Sequence, residues 1–357
     1  MTTAAPLRPV RRHRARWWVL ALALVGAVGY VAVSLVHGFA AGADALREAK
    51  PVWLAAAAAA EAVAYLLLAA QLRRLVGPDV RLGRRTAIRL AMVLCGFGCV
   101  TPASPAEGML ITGSDLHRRG LTTRRVAVTL GVAELLSALA IVGLGALDVL
   151  GAGLFGDLPS GDVLPLVALA LAALVGLGAT NLFAQRPATA ARLAVALGAL
   201  CFWRPCPPVE ARRAAGMAWH AEATEVVGPV GNRLALLALS AGAWFADVVC
   251  CYLALAALGV SLPFDVVFLA YTVGVVATLV PLLPAGLGLV ETAVPLVLHG
   301  FGAPLGAAVA GVLAYRCVST LLPAAVGLAC IPGLGRSRRS SSRPSSAPAH
   351  GSVLAAA

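Results

Sequence analysis

Charged residues are scarce in this sequence, and long apolar runs are many. Asp, Glu, Lys and Arg make up 12% of the 357 residues, against about 25% in a typical soluble domain. Hydrophobic residues make up 60% of the chain, and its mean hydropathy is +0.88. This composition excludes a soluble globular enzyme and predicts an all-α polytopic membrane protein.

Lysine is almost absent, and acidic residues are few. Lys50 is the single lysine, and 28 basic residues against 16 acidic ones give a formal net charge of +12. In a soluble protein this excess would indicate nucleic-acid binding. Here the arginines flank apolar runs, where they orient a membrane protein and meet anionic head groups. The charge therefore predicts membrane lipids as partners, namely phospholipid head groups, and no nucleic acid.

Sequence motifs of catalytic and nucleotide-binding sites are missing. The chain has no GxSxG, no HExxH, no Walker A sequence and no GxGxxG followed by an acid. Its eight cysteines include no paired CxxC, and no His cluster stands beside them. We therefore expect a protein that is not an enzyme and that holds no metal and no cofactor.

Six segments have about the 20 apolar residues that a membrane-spanning helix needs. They are 17–37, 52–71, 125–149, 163–183, 233–258 and 305–331. The first follows a basic segment, 1–16, as the apolar region of a signal peptide does. It is longer than such a region, and no convincing A-x-A cleavage site follows, so we predict an uncleaved first span.

Two further apolar stretches, 86–116 and 264–300, are interrupted by proline and glycine. The interrupting residues are Pro102, Pro105, Pro281, Pro284, Gly286 and Gly288. Proline removes a backbone donor, and glycine loosens a helix. Such backbone is tolerated at membrane depth only where protein or trapped water satisfies it. We therefore predict two re-entrant helical hairpins in addition to the six spanning helices.

The arginines predict the topology of the chain. All but three of the 28 basic residues fall in five clusters, which are 8–16, 73–89, 118–125, 186–233 and 336–343. If only the six spans cross, all five clusters share one side, which the positive-inside rule makes the cytoplasm. Both termini then lie in the cytoplasm, and the two hairpins enter the membrane from opposite faces. If the broken stretches crossed fully, cluster 118–125 would lie outside and break the pattern.

The elements occur in the same order twice. Two spans, a hairpin and a span fill 17–149, and the order recurs in 163–331. Three crossings per half invert the second half relative to the first, as in many transporters. Within the second half, 184–231 is predicted to be a cytoplasmic linker, either an amphipathic helix on the membrane surface or an ordinary loop. The basic tail, 335–357, is expected to be disordered.

Few charged residues lie inside the predicted membrane segments, where each costs about 2.5–3.5 kcal/mol on insertion scales. The candidates for contact with a polar substrate group are Glu107, Glu134, Asp247, Glu291 and Arg316. Glu107 and Glu291 each follow a helix break. A half-helix that begins near Leu287 would direct its positive end into the membrane, where an anionic phosphate can bind.

Each of these residues also has a purely structural role open to it. Glu107 and Glu291 either contact substrate or cap half-helices. Arg316 pairs with Glu291 or Asp247, or it grips a lipid phosphate, for which the guanidinium group is well shaped.

Glu134 and Glu61 also lie in predicted spans. Glu134 either pairs with Arg89 or faces a cavity. Glu61 interrupts a run of alanines, and we expect it to make a polar contact between packed helices.

Both halves of the chain resemble one family. The second half contains PLLPAGLGLVETAVPLVLHGFGAPLGAAVAGVLAYRCVSTLLPAAVGL, which resembles the flippase-like transmembrane family of the lysylphosphatidylglycerol synthases. Its members often show P-x-P-G-G-L-G-x-x-E followed by an apolar span with Tyr-Arg. The first half contains TPASPAEGMLITGSDLHRRGLTTRRVAVTLGVAELLS, which is similar to that family's P-x-x-x-G-E, short basic loop and span with Glu. The departures are P-A-G-L-G for P-G-G-L-G and S-P-A-E-G for G-x-G-E.

The resemblance covers roughly residues 17–331 and implies a lipid flippase of the bacterial inner membrane. Such a protein would move an anionic or aminoacylated phospholipid, or a lipid-linked intermediate, between leaflets. Members that synthesise lipid carry an aminoacyl-transferase domain after the membrane part, whereas a short tail follows Leu334 here. The resemblance therefore implies a stand-alone membrane domain, with a separate lipid-modifying enzyme as its partner. The alternative is a non-transporting scaffold or lipid-binding partner of a lipid- or envelope-modifying enzyme.

Overall fold

The described part of the protein is helical throughout. The computed structural model describes residues 49–78, 80, 82–97, 106–155, 186–188, 192, 208–278, 286 and 288–331. Its main helices are α1 Pro51–Val76, α2 Arg84–Ala91, α3 Ala106–Arg118, α4 Thr123–Phe155, α5 Val209–Val227, α6 Val230–Ala257, α7 Phe264–Thr278, α8 Val290–Gly300, α9 Leu305–Arg316 and α10 Leu322–Cys330. One π-helical turn, Met92–Phe97, continues α2, and a second, Cys317–Leu321, joins α9 to α10.

Four of these helices are long and apolar enough to cross a membrane. They are Pro51–Val76, Thr123–Gly151, Val230–Ala257 and the continuous rod Leu305–Cys330. At a rise of about 1.5 Å per residue, even the shorter of them extend about 39 Å, more than the hydrocarbon core of a bilayer. They match four of the six predicted spans, and the other two, 17–37 and 163–183, lie outside the described residues.

Helices α1 and α6 pack against each other in opposite directions. The backbone N–H of Lys50, just before α1, donates to the carbonyl of Ala257 at the end of α6 (3.0 Å). Farther along, Gln71 Nε2 donates to Ser240 Oγ at 2.6 Å, and both side chains are buried. These buried amide and hydroxyl groups satisfy each other, and their hydrogen bond therefore holds the two helices in register.

Arginines gather at one end of the helix bundle, which we call the basic end. There the last turn of α1 carries Arg73 and Arg74, and the first turn of α4 carries Arg124 and Arg125. Leu75 of α1, Val128 of α4 and Leu236 of α6 share one apolar cluster at this end. Because α1 ends where α4 and α6 begin, α4 and α6 both run antiparallel to α1.

Part of the predicted linker is helix α5, which packs at the basic end. Ala223 and Val226 of α5 join the apolar cluster of Leu75 and Leu236. Arg124 and Arg125 pair with Glu222 at 2.6 Å and Glu225 at 3.3 Å. Val209–Val227 of the linker therefore forms a helix, and two of its acidic side chains bind arginines of the protein itself.

The first broken segment, 86–116, has two limbs that touch. Gly108 of α3 lies so close to the π turn that a Cβ there would stand 2.5 Å from the carbonyl oxygen of Leu94. The turn also contacts α10, because a Cβ on Gly96 would stand 2.6 Å from the carbonyl oxygen of Pro323. Leu82, before the segment, and Leu116, at its end, belong to one buried cluster with Val76. Both ends of the segment therefore lie at the basic end. Its breaking residues, Pro102 and Pro105, lie outside the described residues.

The second broken segment, 264–300, is formed by α7 and α8, which are 15 and 11 residues long. Their limbs also touch, since a Cβ on Gly274 would stand 2.7 Å from Val294 Cγ2. A short connection joins α8 to α9, and Ala310 of α9 packs against Ala257 and Leu258 at the end of α6. Both ends of this segment therefore lie at the end of the bundle opposite the basic end.

Glycine determines where helix resumes after the second break. Gly286 and Gly288 have φ angles of +64° and +86°, which side chains with a Cβ rarely adopt. A Cβ on Gly286 would also stand 3.1 Å from the Cα atom of Thr278. The regular helix α8 therefore begins at Val290, slightly later than the predicted start near Leu287. Pro281 and Pro284 lie outside the described residues.

The close contact at Gly108 yields a stability prediction. Exchange of glycine for alanine inside a helix ordinarily stabilises by up to about 1 kcal/mol. We expect Gly108→Ala to destabilise instead, by about 1–3 kcal/mol, because the new methyl group meets the backbone of Val93 and Leu94. Thermal unfolding of the detergent-solubilised protein measures the change. Gly231→Ala is the matched control, since nothing lies within 4 Å of a Cβ there. Equal melting temperatures for the two variants would contradict the close approach of the limbs.

Candidate functional site

Arg316 and Glu291 form a buried ion pair beside the second helix break. Arg316 Nε lies 2.9 Å from Glu291 Oε1, and the two side chains are 12% and 10% exposed. Arg316 ends α9, whereas Glu291 lies in the first turn of α8. Of the two carboxylates expected as partners for Arg316, Glu291 is therefore the one that binds its Nε.

Glu291 also binds the backbone at the break. Its Oε2 accepts a hydrogen bond from the N–H of Gly288 at 2.7 Å. A carboxylate in the first turn of a helix stabilises the free N–H groups and the positive end of the helix dipole. Glu291 thus caps α8 and pairs with Arg316 at the same time. One carboxylate therefore connects the second helix break to the long helix Leu305–Cys330.

Asp247 lies on α6 and accepts two tyrosine hydroxyl groups. Tyr271 OH, from α7, donates to Asp247 Oδ2 at 2.7 Å, and Tyr315 OH, from α9, donates to the same oxygen at 3.2 Å. The two tyrosine rings meet edge to face with centroids 6.2 Å apart. Tyr315 directly precedes Arg316 in α9. Helix α9 therefore connects the two groups, since Tyr315 contacts Asp247 and Arg316 pairs with Glu291.

Glu61 of α1 also lies beside Asp247. It is only 7% exposed. One carboxylate oxygen of Glu61, one of Asp247 and the Cys250 sulfur all lie within 4.8 Å of one another. Glu61 therefore does lie between packed helices, as expected, but the structure also places it beside a second acid. Two carboxylates and a thiol are donor types that can hold a metal ion, although we predicted no metal site.

A small cavity lies between the second broken segment and helices α6 and α9. Residues of α6, α7, α8 and α9 line it: Cys251, Tyr271, Gly274, Val275, Thr278, Val290, Val294, Val312, Tyr315 and Arg316. Most of this surface is apolar, and the guanidinium and phenol groups supply its polar part. Such a lining suits a polar group that is attached to an apolar chain.

Two of the five predicted site residues lie elsewhere. Glu107 is half-buried in the first turn of α3, on the other broken segment. Glu134 is exposed on α4, and among the described residues neither Glu107 nor Glu134 bonds to Asp247, Glu291 or Arg316. Of the two alternatives for Glu134, the pair with Arg89 is not formed in the described part of the chain.

Sequence reasoning missed Tyr271, Tyr315 and Cys250 as members of this group. Tyr315 carried a signal, because it precedes an intramembrane arginine. Glu61 carried one too, since an acid inside an alanine run at mid-span needs a neutralising partner. Tyr271 and Cys250 lie in ordinary apolar sequence, and nothing in that sequence marks them.

The buried Arg316–Glu291 pair should contribute more to the free energy of unfolding than the ion pairs at the basic end. We expect Glu291→Gln or Arg316→Met to lower the free energy of unfolding by about 3–5 kcal/mol, because each leaves a buried charge without its partner. The double variant should lose less than the sum of the two. Denaturation in mixed detergent micelles measures these values. Arg125→Met is the control, since its partner Glu225 is 73% exposed and such pairs contribute about 0–1 kcal/mol. Additive losses in the double variant would refute the pairing.

A family model matches most of the chain. The family model described as lysylphosphatidylglycerol synthase TM region matches residues 18–327, which is most of the chain and includes all residues of the site. No curated protein matches the chain. This family model agrees with the resemblance noted from the two broken segments, and its match also includes the spanning helices. The chain therefore belongs to the family of the lysylphosphatidylglycerol synthase transmembrane region, a membrane domain linked to lipid handling.

Proposed function

We propose that this protein moves an anionic or aminoacylated phospholipid, or a related lipid-linked intermediate, between the leaflets of the bacterial inner membrane. The observation that carries the proposal is the buried Arg316–Glu291 pair at the second helix break, beside a mainly apolar cavity. An aminoacylated phospholipid has a phosphate anion, an ammonium cation and apolar tails. A guanidinium group, a carboxylate and an apolar surface are their respective partners.

The pair offers a way to bind such a head group without leaving a charge unneutralised. A lipid phosphate can take the place of Glu291 on Arg316, since guanidinium binds both anions in the same bidentate geometry. The released Glu291 can then accept the ammonium group of an aminoacyl lipid, while Gly288 still donates to its second oxygen. Exchange of partners costs less than separation of charges in an apolar medium.

The same proposal includes the membrane topology. At about 1.5 Å per residue, α7 and α8 extend about 22 Å and 16 Å, less than the hydrocarbon core of about 30 Å. Their shortness, and the return of each broken segment to its own end of the bundle, support two re-entrant hairpins. With 17–37 and 163–183 as further spans, six helices cross, and the basic end faces the cytoplasm together with both termini.

We also propose that the protein binds and moves its lipid rather than converting it. A separate enzyme that aminoacylates or otherwise modifies the lipid would then supply the substrate. The alternative is a non-transporting scaffold. In that case Glu291 and Arg316 would have only a structural role.

The topology predicts labelling from opposite sides. Thr122 and Phe301 are both exposed, between α3 and α4 and between α8 and α9. We expect Thr122→Cys to react with a membrane-impermeant maleimide only from the cytoplasmic side, and Phe301→Cys only from the outside. Inside-out and right-side-out vesicles provide the measurement, with the unsubstituted protein as the blank. Reaction of both cysteines on one side would refute two hairpins that enter from opposite faces.

Lipid movement itself is tested in vesicles that contain the purified full-length protein. With fluorescent lysylphosphatidylglycerol or phosphatidylglycerol and an external quencher, we expect Arg316→Gln to slow the movement of both lipids about tenfold or more, because a charge-assisted contact is lost. Glu291→Gln should slow the aminoacylated lipid more than phosphatidylglycerol.

The control variant is Arg125→Gln, which removes a partly exposed charge at the basic end. It should move lipid at the rate of the unsubstituted protein. If Arg316→Gln and Glu291→Gln fold normally and also move lipid at that rate, the assignment of the site is wrong. Absence of lipid movement in the unsubstituted protein would favour the scaffold.

A further inference from the structure

Two acids, Glu61 and Asp247, face each other in the interior of the helix bundle. As carboxylates they leave two oxygens, Glu61 Oε2 and Asp247 Oδ1, buried and without a hydrogen-bond donor in the described part of the chain. A buried acceptor without a donor costs free energy. Two like charges whose oxygens lie within 4.8 Å also repel each other in an apolar medium. The two acids therefore need a positive charge or a proton between them.

One proton satisfies both oxygens. If Glu61 is a carboxylic acid, its O–H donates to Asp247, with which it lies within hydrogen-bonding reach. The proton belongs on Glu61 because Asp247 already accepts the hydroxyl groups of Tyr271 and Tyr315, and hydrogen bonds to a carboxylate favour its ionised form. Pairs of carboxyl groups that share a proton are an established way to hold two acids together.

We propose that Glu61 and Asp247 form a proton-binding site whose occupancy controls the Arg316–Glu291 pair. The control of the Arg316–Glu291 pair by the proton rests on the proposed lipid movement. The proton site itself does not. The titratable or charged groups that face the two acids come from α6, α7 and α9: Cys250, Cys251, Tyr271, Tyr315 and Arg316.

Tyr315 and Arg316 connect the proton site to the hairpin. When the proton leaves Glu61 for water, two negative charges remain, and together they attract Arg316 more strongly than Asp247 alone did. Arg316 then has two competing anions, Asp247 and Glu291. Movement of the guanidinium toward Asp247 frees Glu291 for a cationic head group, and return of the proton reverses the movement. A proton gradient can thereby drive the exchange of partners.

Infrared difference spectroscopy of the purified full-length protein tests the proton site without lipid movement. We expect the C=O band of a protonated carboxyl group at neutral pH, and we expect Glu61→Gln to remove that band. The side-chain amide introduced by this substitution can still donate from Nε2 to Asp247, so the variant should fold. The exposed Glu210 provides the control, and Glu210→Gln should leave the band unchanged. A band of equal size in Glu61→Gln would overturn the proposal.

Tyr315→Phe is a milder second variant. It removes one hydroxyl donor from Asp247, so the ionised pair is less stable and the proton is held more tightly. The pH at which the band disappears should therefore rise, by about one unit or more. An unchanged or lower value would overturn the proposal. So would a zinc ion that copurifies in unit stoichiometry and is lost in both Glu61→Gln and Cys250→Ala, because the acids would then hold a metal.

The coupling is tested in the same vesicles with an imposed pH gradient. The gradient should change the rate of lipid movement about tenfold in the unsubstituted protein and leave Glu61→Gln unaffected. A band that depends on Glu61 without any lipid movement would refute the proposed function and leave the proton site standing. Lipid movement without such a band, or equal responses of the two proteins to the gradient, would refute the proton site or its coupling.

Discussion

A charge inside a bilayer must be neutralised within the protein, and this constraint governs the second half of the molecule. Arg316 cannot reach water easily from its place in α9, so it binds Glu291. Glu291 in turn stands where it does because Gly288 donates to its second oxygen. The helix break is thus both a cap and a counterion site. The carboxylate of Glu291 accepts the N–H of Gly288 just before the helix begins, and the same carboxylate neutralises the arginine.

The helices approach closely because small residues line their contacts. Gly108 lets α3 lie on the carbonyl groups of the first π turn, and Gly96 of that turn lies on Pro323 of α10. The second π turn, Cys317–Leu321, directly follows Arg316 and precedes Pro323. Proline has no N–H to donate, so the local hydrogen-bond pattern must change in that turn. Turns of this kind are frequent at functional sites. Here one of them lies between the charged residue and the contact with the first broken segment.

Polar groups form a continuous path across the bundle. Glu61 of α1 lies beside Asp247 of α6, Asp247 accepts hydroxyl groups from α7 and α9, and the neighbouring Arg316 binds Glu291 of α8. The helices on this path include a spanning helix from the first half and both limbs of the second broken segment. In the proposed coupling, a change of charge at one end alters the balance of partners at the other. Glu134, by contrast, lies on an outward face of α4, where it has no place in that path.

The amino-acid sequence alone shows the length of each apolar run, the positions of the breaks and the distribution of arginine. From these we predicted four of the observed long helices to within a few residues, and Glu291 as one of two partners for Arg316. Which acids meet depends on the tertiary structure, because residues distant in sequence come together through the rotation and register of packed helices. The hydrogen bond of Lys50 to Ala257 and the close packing of α1 on α6 bring Glu61 to Asp247. An apolar helix buries polar residues on whichever face its neighbours cover, and hydrophobicity alone leaves that face undefined.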